Sequence, residues 1–420
     1  MSNASVLLAV LLPGLAIGAV LLRGFRPWPL VGALLTRYRW INVVFVLLIA
    51  VATSMGIGVT AVERAVREGT ARAADKFDLV IGAPGSELTL LFASVFAEPS
   101  DVGLVSGQDF VAVAESAGVE FAAPLGFGDS HEGAPIIGTT MELVEHMSGG
   151  VLLEGRGFEQ PFDVIAGALN PIEIGARFEP AHGFGESAEE GLHGDTLTVV
   201  GRLPVTGAPW DHALLTPIEG VWLTHGLAAG HAPGNDWLGP PFDARFFPGT
   251  PAIVVKPESL SAAYALRARF DAEDALMAIF PGTELANLYS ILGDARAAMG
   301  ALVTITQVII AIGVLTALFV LTKLFARQIE LLSILGAPFR FQLAVIWAYA
   351  AALLTAGTVL GVALGYLAAR TFGALATAQT NTLITARLGW EEAHAAGIFL
   401  SVVLLLSLAS SAIGLRAAAR

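Results

Sequence analysis

Histidines among acidic residues are the side chains of this sequence best suited to chemistry. Between Glu63 and Gly300 lie 33 of the 36 acidic residues and seven of the eight histidines, which are His131, His146, His182, His193, His212, His225 and His231. Imidazole and carboxylate are ligands that zinc accepts. However, no two histidines show HxH or HExxH spacing, and isolated histidines in surface loops are the alternative interpretation. We predict no metal site and keep as candidates His212, beside Asp211, together with His225 and His231.

Several sequence motifs of other kinds of catalysis are missing from the sequence. Cysteine is absent, which excludes disulfides, thiolate zinc sites and cysteine nucleophiles. No GxSxG elbow occurs. A phosphate-binding loop GxxxxGK[ST] is missing as well, because none of the lysines (Lys76, Lys256 and Lys323) follows a glycine. We predict that the chain is not an enzyme and carries no cofactor of its own.

The composition is that of a membrane protein. Of the 420 residues, 55% are hydrophobic and 14% charged, against roughly 25% charged in soluble domains. The net charge of −13 argues against a nucleic-acid partner, because phosphate binding needs a basic face. A lipid bilayer is therefore the expected surrounding of the apolar residues.

Four long runs contain no Asp, Glu, Lys or Arg and predict four core transmembrane helices. Each reaches the roughly 20 residues that span a bilayer, and none carries a charge that would mark an ion pathway. The runs are 41–62, 299–322, 341–369 and 395–415.

Basic residues predict the orientation of these helices, because short cytoplasmic loops are enriched in Lys and Arg. Basic clusters lie in segments 1–40, 323–340 and 416–420, which would all face the cytoplasm. Segments 63–298 and 370–394 would then lie outside a bacterial inner membrane. The sequence thus predicts an α-helical membrane protein with a large extracytoplasmic domain inserted between its first two core helices.

The apolar run Val6–Leu22 precedes this arrangement and is compatible with three interpretations. These are an additional spanning helix, a signal peptide and an interfacial helix. A basic start and a small-residue cleavage site are both missing, which disfavours the signal peptide. An interfacial helix would have a weak polar face. We expect a spanning helix here.

Short strands and helices alternate through 63–298 and predict an α+β domain. Helical stalks are expected at both ends, with an unbroken helix over Ile41–Phe77 and a second helix over Leu285–Met299. The predicted strands are Asp78–Gly82, Val119–Pro124, Ala134–Ile137, Val164–Ala168, Thr196–Val200, Ala213–Thr216 and Ala252–Val255. The predicted helices are Leu88–Phe96, Gly107–Ser116, Met141–His146, Ile218–His225 and Ser259–Phe270, and His182–Asp195 is expected to be an exposed loop.

The segment Ala326–Arg340, ARQIELLSILGAPFR, is the most informative short motif. Its apolar residues recur at helical spacing, and Gly336-Ala337-Pro338 predicts the end of that helix. An ordinary amphipathic connector between two membrane helices is one interpretation, and a docking segment is the other.

Small residues recur every four positions in the run 341–369, at Gly357, Gly361 and Gly365. Such spacing lets helix backbones approach closely. The sequence leaves open whether these glycines contact a second copy of the chain or another helix of the same chain.

The connector and the order of elements resemble the FtsX-like ABC-transporter permeases, which include MacB-type and lipoprotein-releasing permeases. Arg327, the following apolar stretch that ends in L-x-x-x-G-A (332–337) and the next span resemble that family's cytoplasmic connector. The segments 78–96 (DLVIGAPGSELTLLFASVF) and 201–226 also resemble parts of the family's outer domain. The isolated Arg327 and the extra N-terminal run depart from the family pattern.

This resemblance implies a permease that forms a dimer, by default of two identical chains, and pairs with a separate ATPase holding ATP and Mg. Motion of the outer domain would serve export or extraction of a lipid, lipoprotein, peptide or metal-linked substrate, with a periplasmic or outer-membrane partner. Two alternatives are a non-transporting scaffold that activates an outer cell-wall hydrolase, and a metal sensor. The resemblance assigns contact with the ATPase to Arg327, Glu330, Leu331, Leu335, Gly336 and Ala337.

Overall fold

The computed structural model describes residues 2–98, 101–183, 194–272, 275–291, 293–324, 326–380 and 383–418. The helices are α1 (Asn3–Leu22), α2 (Trp28–Arg37), α3 (Arg39–Ala74), α4 (Glu87–Val95), α5 (Gly107–Ala114), α6 (Met141–Ser148), α7 (Ile218–Thr224), α8 (Leu260–Asp271), α9 (Pro281–Ile291), α10 (Gly293–Leu324), α11 (Ala326–Ile334), α12 (Phe339–Thr380) and α13 (Trp390–Ala418). The strands are β1 (Leu79–Gly82), β2 (Val119–His131), β3 (Ala134–Thr139), β4 (Glu154–Gly155), β5 (Asp163–Ala166), β6 (Arg177–Phe178), β7 (Ala181–His182), β8 (Leu197–Arg202), β9 (Leu214–Pro217), β10 (Ala252–Pro257) and β11 (Met277–Ile279).

The chain divides into two units. The first contains Met1–Val66, Gly293–Leu375 and Thr385–Arg420, and the second contains Arg67–Leu292 and Ala376–Ile384. The first unit is a bundle of helices, and the second is a mixed α/β domain.

Within the described residues, five helices are long and apolar enough to cross a membrane, as judged by length and composition. They are α1, α3, α10, α12 and α13, so the four uncharged runs and the N-terminal run all lie in such helices. Helix α12 continues to Thr380, beyond the run that ends at Ala369, because the polar residues after it do not interrupt the helix.

Helix α1 belongs to the bundle through contacts with α12 and α13. Its N-terminus is capped by the Ser2 side chain, which accepts a hydrogen bond from the Ser5 amide. A Cβ added at Gly18 would meet the Trp347 ring at 3.0 Å. The Trp347 indole in turn donates to the Leu404 carbonyl at 3.2 Å. These contacts place the Val6–Leu22 run within a 20-residue packed helix.

The second unit is built on one mixed sheet with the strand order β11-β1-β10-β2-β3-β9-β5-β8-β4, with β6 paired to β8 and β7 to β2. Alternate residues of β1 face opposite sides of the sheet. Leu79 and Ile81 pack in one apolar cluster, with Phe110 and Phe270. Val80 packs in another, with Trp210. The sheet is therefore buried on both faces at this strand.

Strand β2 connects the two halves of the sheet. It pairs with β10 as far as Leu125 and with β3 from Gly126 onward, and its register shifts between Gly126 and Asp129. Gly128 lies in this irregular segment with a φ of 148°, which only glycine adopts easily. The shift sets which residues after it reach the neighbouring strand β7.

The strands predicted between Asp78 and Val255 and the helices predicted between Leu88 and Phe270 are confirmed, with shifts at their ends. The second stalk helix, predicted over Leu285–Met299, falls on two helices, α9 and α10. The largest shift is in β2, predicted over Val119–Pro124 and observed to His131, because the pairing with β3 extends it. The predicted loop His182–Asp195 lies mostly outside the described residues, since 184–193 are not described.

Candidate functional site

The connector between α10 and α12 forms the short helix α11 and a tight turn. Gly336 follows the helix with a φ of +84°, the left-handed conformation typical of a residue that ends a helix. The Gly336 amide donates to the Ser333 carbonyl at 3.0 Å, and the Ala337 amide donates to the Leu332 carbonyl at 2.9 Å. The sequence thus correctly predicted where this helix ends.

A buried glutamine holds the turn against the start of α12. The Gln342 amide nitrogen donates to Ser333 Oγ at 2.8 Å and to the Ala337 carbonyl at 3.1 Å. Gln342 is buried, so its amide group has lost its hydrogen bonds to water. The two hydrogen bonds within the chain compensate for that loss. The turn therefore has a defined geometry relative to α12.

Apolar side chains of the connector point away from the rest of the chain. The exposed fractions are 58% for Leu331, 75% for Ile334 and 82% for Leu335. Arg327 is exposed too, and Ala337 is half-buried. The Glu330 side chain lies outside the part described. The connector thus presents an unburied apolar surface, formed by Leu331, Ile334 and Leu335, which we call the connector surface.

The glycine series of α12 packs against α3 of the same chain. A Cβ added at Gly357 would lie 2.6 Å from Ile49 Cβ, and one at Gly361 would lie 2.5 Å from Thr53 Cβ. At Gly365 the corresponding distance is 2.8 Å, to Ile57 Cβ. All three values are below the normal separation of carbon atoms. The absence of side chains at these three positions therefore allows α3 to approach α12 closely.

An ion pair that the sequence analysis missed joins α3 to the start of α13. Arg64 Nη1 lies 2.8 Å from Glu392 Oε2, and Glu392 is 1% exposed. The Gly389 amide donates to the same carboxylate oxygen at 2.8 Å, and the Arg64 guanidinium also donates to the Arg387 carbonyl. The two partners lie 328 residues apart in sequence, so no local pattern indicates their contact.

The three candidate metal ligands are not brought together among the described residues. His212 ends a short 3₁₀ helix, and the carboxylate of its neighbour Asp211 accepts hydrogen bonds from the Thr206 amide, the Thr206 hydroxyl and the Gly207 amide, each at 2.7–2.8 Å. These bonds give Asp211 a structural role in its turn. His231 stacks on Phe242 with ring centroids 5.2 Å apart.

Glu219 lies beside His231 in a buried position of α7. Glu219 Oε1 is 3.6 Å from His231 Nε2, and it accepts a hydrogen bond from the Gly239 amide. Burial raises the pKa of Glu219 to about 7, although the Gly239 hydrogen bond opposes the rise. Burial also lowers the pKa of His231. Both side chains therefore favour the neutral state because they are removed from water.

His225 instead lies next to Asp129 and His182, two residues that the sequence analysis had not grouped with it. Asp129 Oδ1 is 3.5 Å from His225 Nε2 and 3.4 Å from His182 Nδ1. The ligand atoms of the three side chains all lie within 4.8 Å of one another. This group, the Asp129 cluster, is the one set of three such residues found in the described part of the chain.

No protein-family model matches the chain. No curated protein matches it either. Among solved structures it is similar to the periplasmic region of MacB from Actinobacillus actinomycetemcomitans, at 11% identity and a TM-score of 0.32, over 51% of this chain and 94% of that one. It is also similar to the extracellular domain of the noncanonic ABC-type transporter YknZ from Gram-positive bacteria, at 12% identity and a TM-score of 0.28, over 48% and 98% of the two chains. TM-scores of this size describe a likeness and do not establish a shared fold.

Proposed function

We propose that the chain is the membrane-spanning permease subunit of an ABC transporter and works with a separate ATPase subunit. The connector surface carries this proposal. Leu331, Ile334 and Leu335 are exposed on a helix between α10 and α12, where a partner protein would bury them. The sequence resemblance of Ala326–Arg340 to the connector of FtsX-like permeases supports the same docking role.

The proposed subunit transmits motion through stiff helices. Helix α3 is continuous over 36 residues, about 54 Å at 1.5 Å per residue, which exceeds the roughly 30 Å of the hydrocarbon core. Its close packing on α12 and the Arg64–Glu392 pair fix α3 to other helices of the bundle. Closure of the ATPase on ATP would move the connector, and α3 would convey the displacement to the extracytoplasmic domain.

In this proposal the chain is a multi-pass protein of the bacterial inner membrane and forms a dimer of identical chains. Its connector faces the cytoplasm, and its mixed α/β unit lies outside. The work serves export or extraction of a lipid, lipoprotein, peptide or metal-linked substrate.

The test is purification of the full chain from its native membrane in mild detergent, with identification of the retained proteins. We expect an ATPase with a phosphate-binding loop to be retained by the unmodified chain and lost from Leu335→Glu. Leu260→Glu is the matched control, because Leu260 is a similarly exposed leucine at the start of α8. Failure to recover an ATPase after crosslinking, or equal recovery with all three chains, contradicts the proposal. Recovery of an outer hydrolase with the ATPase favours the scaffold function over transport.

A further inference from the structure

We propose that the Asp129 cluster is a zinc-binding site, with Asp129 Oδ1, His182 Nδ1 and His225 Nε2 as its ligand atoms. This inference concerns only the mixed α/β unit and does not depend on the proposed permease function. It departs from the sequence prediction of no metal site, and of the three histidine candidates it retains only His225.

The two distances from Asp129 to the histidines match the separation of ligand atoms around a tetrahedral zinc ion. Zinc lies about 2.1 Å from oxygen and nitrogen ligands, so neighbouring ligand atoms of a tetrahedron are separated by about 3.4 Å. Asp129 Oδ1 is 3.4 Å from His182 Nδ1 and 3.5 Å from His225 Nε2. Two imidazoles and one carboxylate are ligands that zinc accepts.

The hydrogen bond of His225 prepares its other ring nitrogen to bind a metal. His225 Nδ1 lies 2.8 Å from the Val221 carbonyl oxygen. A carbonyl oxygen only accepts, so Nδ1 carries the proton in the neutral ring and Nε2 carries the ring's basic lone pair. Metal-binding histidines are oriented in this way by a carbonyl or carboxylate behind the ring. The electron pair of Nε2 then faces the Asp129 carboxylate, and a cation between them would attract both.

The sheet holds two of the ligands at fixed positions. Asp129 on β2 is the direct partner of His182 on β7, and neighbouring Ser130 donates its hydroxyl to the Gly183 carbonyl at 2.6 Å. Asp129 follows the register shift of β2, and the glycine at 128 has a φ of 148°. His225 approaches from the end of α7. Three separate elements therefore converge on one point.

Differences in burial give the site a closed side and an open side. The Asp129 side chain is 3% exposed, whereas the side chain of His182 is 51% exposed. A carboxylate in such a buried position gains from a cation at short range. A water molecule can supply the fourth ligand on the open side, as in zinc sites with three protein ligands.

The test is zinc binding by the full chain purified in detergent, stripped with a chelator and titrated with Zn²⁺ in equilibrium dialysis. Because cysteine is absent, thiolates contribute no background. We expect one zinc ion per chain, and at least about tenfold weaker binding in His225→Ala and in His182→Ala, since each change removes a ligand. We expect His182→Ala to preserve the fold because His182 is exposed. A change at Asp129 is avoided because that side chain is buried and its loss would destabilise the fold. Mg²⁺ is not expected to compete, because it prefers oxygen ligands.

His212→Ala and His231→Ala are the matched controls, because both remove a histidine of the same unit outside the cluster. Both are expected to bind zinc like the unmodified chain. Cobalt(II) in place of zinc should give the strong visible absorption of a tetrahedral ion, and this absorption should be lost in His225→Ala. The proposal is overturned if no zinc is retained, or if the cluster variants bind it as tightly as the two controls. Neither result bears on ATPase recovery, so this test is separate from that of the permease function.

Discussion

The close contact between α3 and α12 makes a sharp prediction for Gly361→Ala. The added Cβ would lie 2.5 Å from Thr53 Cβ and 2.7 Å from the Ala50 carbonyl oxygen, about 1 Å short of a normal contact. The Ala50 oxygen belongs to the backbone of α3, so no side-chain rotation relieves the contact. The two helices must separate, and we expect this to cost about 1–3 kcal/mol, as overpacking does elsewhere.

Gly313→Ala is the matched control for this change. Gly313 also lies inside a long apolar helix, α10, and no described atom is within 4 Å of its added Cβ. Alanine favours a helix over glycine by about 1 kcal/mol in both variants, so their difference isolates the contact with α3. We expect Gly361→Ala to be less stable than Gly313→Ala by about 1–3 kcal/mol.

The measurement is the apparent melting temperature of the full chain in one detergent at one scan rate, because membrane proteins often unfold irreversibly. Size-exclusion chromatography of both variants checks the alternative that the glycines contact a second chain. Equal melting temperatures would refute the packing inference. A change of oligomeric state confined to Gly361→Ala would show that the glycine face serves the dimer instead.

Two further predictions concern buried ionisable side chains, Glu392 and Glu219. Glu392→Ala removes the buried carboxylate that accepts from Arg64 and from the Gly389 amide. We expect a lower melting temperature than for Glu391→Ala, which changes the adjacent exposed glutamate. Equal melting temperatures would contradict a structural ion pair. Burial raises the pKa of Glu219 from 4.5 to about 7 in the folded chain. Between these two pH values the folded chain keeps a proton on Glu219 that the unfolded chain loses. The free energy of unfolding therefore falls as the pH rises from about 4.5 to about 7, by at most about 3 kcal/mol. Between pH 5 and pH 8, Glu219→Gln should therefore lose less stability than the unmodified chain. The control Glu258→Gln, which changes an exposed glutamate, should lose as much stability as the unmodified chain. If stability depends on pH identically in all three chains, Glu219 does not titrate in this window.

Much of the local structure follows from the sequence because it depends on neighbouring residues. Uncharged runs predicted the long helices, and alternating short strands and helices predicted the mixed domain. Gly336 marked the end of α11, since the left-handed conformation is a property of one residue and its neighbours. The end of α12 was harder to predict, because a helix continues past the apolar run wherever nothing breaks it.

The sequence by itself determined which segments are apolar helices, which alternate as strands, and where the connector lies. Only the tertiary structure decided that Gly361 faces α3, that Arg64 meets Glu392, and that Asp129 and His182 join His225. These contacts join segments distant in sequence, and a register shift in β2 decides one of them. A one-residue change of strand register turns a side chain to the opposite face, so such clusters depend on the packed fold and not on sequence spacing.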